Sequence, residues 1–154
     1  MKPSILPTCL AIILLTWSVA LPASDPTSQE EAQVRKVLTN LMVAYRSSDL
    51  AALRKLIDPD FKLIENFDGG RPPLNGTSFL NDVAERFKNT TNYRFQLGDI
   101  VVEKLTDDKG FKLVASVHEK YIESGRFKLD KYVLTMNVRP ADADLLIYHL
   151  VYDG

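Results

Sequence analysis

The sequence predicts an α+β domain in which an antiparallel sheet packs against two long helices and one short helix. Three observations lead there. From Tyr93 to Tyr152 the chain runs through four segments of alternating β-branched and aromatic residues. The turns between them are too short for crossover helices. Upstream, two long segments carry apolar residues at helical spacing on one side only, so helices and sheet each own a face that the other must cover.

The first residues read as an address. Met1 and Lys2 lead into the uncharged run Leu10 to Leu21, which is short of the roughly 20 apolar residues that span a bilayer. It reads as a secretory signal peptide over residues 1–23, cleaved after Ala20 or after Ala23, followed by one domain over 24–154. The expected location is secreted, with no membrane anchor. Cys9 precedes the apolar run, whereas a lipid-modified cysteine would follow one, so it leaves with the signal and the mature chain has no cysteine. A core of about 130 residues can stand without disulfides. Losing Lys2 from 19 basic residues leaves 18 against 20 acidic ones. That balance carries no clustered positive face for nucleic acid.

Glu30 to Tyr45 places Val34, Val37, Leu38, Leu41, Met42 and Tyr45 on one helical face, with acids in the first turn where they complement the dipole. Ser47, Ser48 and Asp49 break that helix and offer caps to a short second one carrying Leu50, Leu53, Leu56 and Ile57, which Pro59 should end. Phe61 to Phe67 reads as a short strand and residues 68–73 as a loop. A third helix should begin at Thr77 or Ser78 and present Phe79, Leu80, Val83, Ala84 and Phe87.

The meander comes next as Tyr93 to Leu105, Phe111 to Tyr121, Phe127 to Val138 and Leu145 to Tyr152. In its second strand Leu113, Ala115, Val117 and Tyr121 share a face opposite Lys112, Ser116, His118 and Lys120. Strict alternation in the last strand sets Leu145, Ile147 and Val151 against Leu146, Tyr148, Leu150 and Tyr152. Both of its faces are then apolar, as expected of a strand whose outer face meets more than water.

Tyr45, Ser48-Asp49-Leu50, Leu53, Leu56 and Pro59-Asp60-Phe61, with Leu74-Asn75-Gly76 before the third helix, resemble the helix-to-strand passage and helix start of the nuclear transport factor 2-like superfamily, also called SnoaL-like or ketosteroid-isomerase-like. The resemblance covers nearly all of the mature chain. It implies a cystatin-like superfold in which a curved sheet and the helices form a cone around an open pocket, and homodimerisation through the outer sheet face. Enzymes of the superfamily place an Asp base, a Tyr or protonated acid, or a His and Asp pair inside the cone. No such set can be matched here by motif.

Polar residues that interrupt apolar faces are the remaining candidates. Glu65 shares a face with Phe61, Leu63 and Phe67, and Glu119 with Ala115, Val117 and Tyr121. A buried carboxylate tends toward a raised pKa, which suits a general acid or base. Each also lies near a strand end, where simple solvation is the commoner arrangement. His149 between Ile147 and Val151 reads as structure or interface, His118 as exposed. Two histidines on separate strands make a poor zinc site, and no phosphate loop, nucleophile elbow or dinucleotide fingerprint occurs. No metal or cofactor is expected.

Tyr45, Phe67, Tyr132 and Tyr148 form the aromatic set that would line a pocket for a small apolar ligand, although any one of them could equally fill a core. Asn75-Gly76-Thr77 and Asn89-Thr90-Thr91 are N-glycosylation sequons, meaningful if the host is eukaryotic. Three functions are compatible with these residues. The first is a secreted binder of a hydrophobic molecule, ranked ahead because no catalytic dyad is visible. The others are an isomerase or dehydratase using a pocket carboxylate, and a homodimeric interaction module without ligand.

Overall fold

A capping box opens α1 (Ser28–Arg46). Thr27 Oγ1 accepts from the Glu30 amide at 3.2 Å, and the Glu30 carboxylate accepts from the Thr27 amide at 2.7 Å. The computed structural model describes residues 24–67, 69–106 and 110–154. The expected signal peptide with Cys9 and both cleavage points lies outside the described residues, as do Asp68 and residues 107–109 of two expected turns. Val34, Val37, Leu38, Leu41, Met42 and Tyr45 of α1 are all buried, as their spacing requires.

Ser48 takes a left-handed φ of 52° to turn the chain, and Asp49 caps α2 (Leu50–Leu56) by accepting from the Ala52 amide at 2.8 Å. The helix stops earlier than Pro59. Ile57 is already extended and begins β1 (Ile57–Asn66), because the residue before a proline is itself pushed to extended backbone and Asp58 passes that constraint upstream. Pro59 sits in the irregular stretch of β1 between Ile57 and Lys62, where its missing N–H breaks no ladder bond. The two-residue β2 (Leu74–Asn75) leads into α3 (Gly76–Asn89), one residue ahead of the expected start. Asn75 is its cap, accepting from the Ser78 amide at 2.9 Å.

Strands β3 (Thr90–Lys104), β4 (Phe111–Glu123), β5 (Arg126–Ala141) and β6 (Asp144–Asp153) form the antiparallel meander. β1 then joins β6 in parallel, so the sheet is mixed, in the order β2-β1-β6-β5-β4-β3. It curves around α1 and α3 with β2 and β3 as its edges and does not close. β6 is thus an interior strand, hydrogen-bonded along both edges to β1 and β5.

Strict alternation fails within β6. The pairing passes from Val138–Ile147 directly to Asn137–His149, so Tyr148 is an extra residue that reverses the facing of the residues after it. Ile147 and Leu150 are both fully buried, and Leu145 and Tyr152 pack on the same core. Leu150 and Tyr152 therefore do not share an outer face with Leu146 and Tyr148.

Candidate functional site

Between α1, α3 and the concave face of the sheet lies a cavity of about 530 Å³. Its wall is apolar and aromatic, with Leu41, Met42 and Tyr45 from α1, Phe95 from β3, Tyr132 and Leu134 from β5 and Tyr152 from β6. Arg86 of α3 and Glu119 of β4 supply its charge on the inner side, while Glu65 and Phe67 stand where β1 runs out. A larger hollow of about 900 Å³ lies outside the cone, between α1, α2 and the β5–β6 turn. Lys36 and Lys55 in it are exposed, Lys104 is paired with Glu30, and nothing in it converges on one point. The cone interior is the candidate site.

Alternation along β4 turns Val117, Glu119 and Tyr121 inward, and Glu119 is buried rather than solvated at the hairpin. Tyr132 donates to Glu119 Oε2 at 3.1 Å, and Arg86 Nη2 donates to Oε1 at 3.3 Å. The Arg86 guanidinium lies over the Tyr121 and Tyr93 rings, 4.9 and 5.6 Å from their centroids. Tyr121 in turn donates to Asp130 at 2.6 Å. Burial pushes the Glu119 carboxyl above the usual glutamate range; Arg86 and the Tyr132 hydroxyl pull it part of the way back, and Asp130 adds to the rise. Burial opposes the Arg86 charge, but Glu119 and the surrounding tyrosines outweigh it and the guanidinium pKa is raised. Burial, then neighbouring tyrosines and Glu119, likewise raise Tyr132 and Tyr45, and burial with Glu119 raises Tyr152. All three remain protonated hydrogen-bond donors at neutral pH.

Glu65 faces the same cavity but is tied elsewhere. Arg71 binds its two oxygens at 2.8 and 3.2 Å and also reaches Asp82 on α3 at 2.6 Å. The two glutamates are therefore held by separate arginines, and they do not form a carboxylate pair of the kind that shares a proton. Tyr45, Phe67 and Tyr132 meet at the cavity. Tyr148 does not reach it: next to inward-facing Ile147 it lies on the opposite face, where the Arg139 guanidinium covers its ring at 5.4 Å, and the bulge turns Tyr152 inward instead. Tyr152 occupies the place expected of Tyr148.

Arg86 went unseen in the sequence although the signal was present. It follows Phe79 by seven residues and Val83 by three, in phase with the buried stripe of α3. His149 lies half-buried beside Tyr148, and burial, then Lys62 and Arg139, hold its pKa down. His118 is half-buried on the outer face, paired across the sheet with Gln96 and Lys131. Asn75 and Asn89 are exposed at the two ends of α3. Among the described residues no group of three or more His, Cys, Asp or Glu is arranged to hold a metal ion, and no helix is long and apolar enough to cross a membrane.

Compared by sequence, the chain matches no family model and no curated protein. Compared by shape, it is similar to a proposed aromatic ring hydroxylase from Novosphingobium aromaticivorans, with a TM-score of 0.73 at 15% identity over 83% of this chain and 90% of that one. It is also similar to a proposed dehydratase of the NTF2-like family from Streptomyces avermitilis, with a TM-score of 0.64 at 18% identity over 82% and 97%. A ketosteroid isomerase-like protein from Erwinia carotovora atroseptica aligns with a TM-score of 0.65 at 12% identity over 82% and 96%. The chain thus has the cystatin-like fold found in solved structures of NTF2-like and ketosteroid isomerase-like proteins.

Proposed function

We propose that the protein is exported and holds a small hydrophobic molecule in the cone. The observation that carries this reading is the cavity itself: about 530 Å³, walled by aromatic and aliphatic side chains, with a few polar groups gathered on one side. That is the make-up of a small-molecule site. An export signal over residues 1–23 and glycans on Asn75 and Asn89 belong to the same reading, and both asparagines are exposed. A homodimer through the outer sheet face is supported by the exposure of Val101, Phe127 and Val133 there.

The test is displacement of an apolar fluorescent dye from the purified mature protein, with Met42→Trp as the blocked control. Met42 lines the cavity from the buried face of α1, so the larger ring should fill part of the space. Saturable binding that this variant weakens at least tenfold is expected. Dye binding indifferent to Met42→Trp would refute a site in the cone.

Glu119 supports a second reading, an isomerase or dehydratase using it as a proton shuttle. A carboxyl of raised pKa, bonded to a tyrosine hydroxyl and facing an apolar cavity, is equipped to exchange a proton with a bound carbon acid. Deuterium uptake at the α-carbon of a cyclic ketone, lost in Glu119→Gln, is the expected result. Uptake that survives the substitution would remove Glu119 from that role.

A further inference from the structure

Three arginines of this fold each hold two acceptors, whereas Arg86, which borders the cavity, holds one. Arg71 bridges two carboxylates, Glu65 and Asp82. Arg139 bridges Asp58 and Asp60. Arg35 bonds the Glu31 carboxylate and the Ile100 carbonyl. Arg86 has one acceptor among the described residues, Glu119, reached through Nη2 alone. A guanidinium carries five N–H donors in a planar fork, and this one borders the cavity with its side chain 34% exposed. Tyr121 and Tyr93, stacked on each other with centroids 5.7 Å apart, both lie to one side of it, and its free N–H edge is left to a visitor.

The rest of the polar inventory points the same way. Glu119 already receives two hydrogen bonds, Glu65 is chelated by Arg71, and Asp130 accepts from Tyr121. The cavity's acceptors are thus occupied. Its unused capacity is donor capacity, on Arg86 and on the protonated hydroxyl of Tyr152, to which Tyr45 already donates. A neutral hydrocarbon would leave those donors unpaired in a largely apolar space, which is costly.

We infer that the ligand is an amphiphilic acid whose carboxylate docks on the free edge of Arg86 while its apolar body lies against Tyr45, Tyr132, Leu134 and Tyr152. This rests on the cone being a ligand site and adds the chemistry of the head group. Arg86 then bridges two carboxylates, Glu119 of the protein and that of the ligand, as Arg71 and Arg139 bridge two within the chain. Glu119 tunes the site: its charge opposes the incoming acid while fixing the orientation of the fork.

The experiment compares decanoate with decan-1-ol at pH 7, each displacing an apolar dye from the mature protein, in wild type, Arg86→Met and Glu119→Gln. Decanoate should bind at least tenfold more tightly than decan-1-ol. Arg86→Met should bring the acid to the level of the alcohol, whose own affinity falls far less. Glu119→Gln keeps the arginine and removes the competing charge, so it should tighten decanoate severalfold with no effect on decan-1-ol. It serves as the deciding variant if Arg86→Met fails to fold. Equal affinities for acid and alcohol, or a decanoate affinity that Glu119→Gln leaves unchanged or lowers, would overturn the inference while leaving an apolar site intact. If neither compound displaces the dye, the cavity reading fails with it.

Discussion

Two carboxylates in this molecule are equally hidden and each meets an arginine, yet they behave in opposite ways. Asp58 in β1 and Glu119 in β4 both have side chains 5% exposed. Asp58 receives three donors: Arg139 Nε at 2.8 Å, Arg139 Nη2 at 2.5 Å and the Asp60 amide at 2.8 Å. Its cover is thin, since Arg139 and Asp60 themselves reach solvent. The Arg139 hydrogen bonds lead, burial opposes them weakly, and the carboxyl is held below its usual 3.8. Glu119 receives two longer bonds and lies deep in the cone, so burial leads and the carboxyl rises above its usual 4.5. Depth and the count of short donors decide whether an arginine–carboxylate contact is a staple or a responsive group.

The largest expected effect of that difference is on stability. Asp58→Ala removes a carboxylate on which three donors converge, and urea unfolding should show a loss of about 1.5–2 kcal/mol, trimmed by the solvent around Arg139. Glu119→Gln keeps an oxygen acceptor and relieves a buried charge, so its change should stay within about 1 kcal/mol in either direction. Equal losses at the two positions would break the comparison.

Next comes pH. A carboxyl raised by folding binds its proton more tightly in the native state, so acidification through the native pKa of Glu119, above 4.5, should add stability. Asp58 is lowered by folding, and its contribution is present above its unfolded pKa and lost as pH falls below about 3.8. Thermal midpoints across pH 7 to 3 should lose the acid-side gain in Glu119→Gln and the subsequent fall in Asp58→Asn. The opposite assignment would reverse the contrast between the two sites.

The smallest effect sharpens the cavity side alone. Tyr132→Phe removes one of the two bonds that hold the Glu119 carboxyl down, so the Glu119 titration should move further upward, at a stability cost of about 1 kcal/mol. Carbon-13 chemical shifts of the glutamate carboxyls would track it. A titration that stays in place would mean that the Tyr132 bond is not made in solution.

Much of this fold could be read from single-face periodicity. The stripe from Val34 to Tyr45, the inward set Leu113, Ala115, Val117 and Tyr121, and the cap at Asp49 are local patterns, and the structure keeps them. The parallel pairing of β1 with β6 joins segments some 85 residues apart and leaves no local mark. The β6 bulge was illegible because one extra residue changes facing without changing composition, and it is the bulge that turns Tyr152 into the cavity. Glu119 stands out by interrupting an apolar face, but its burial depends on Arg86 arriving from α3, a contact that spacing along β4 cannot express.

That the cone is an occupied ligand site is tested most directly by native mass spectrometry of the protein secreted from a eukaryotic cell. Spectra would be taken gently, then after denaturation and organic extraction. The expected result is a co-purifying small molecule, apolar in its body, that is released on denaturation and absent from Met42→Trp. A mass equal to polypeptide and glycan alone, with nothing extractable, would contradict it.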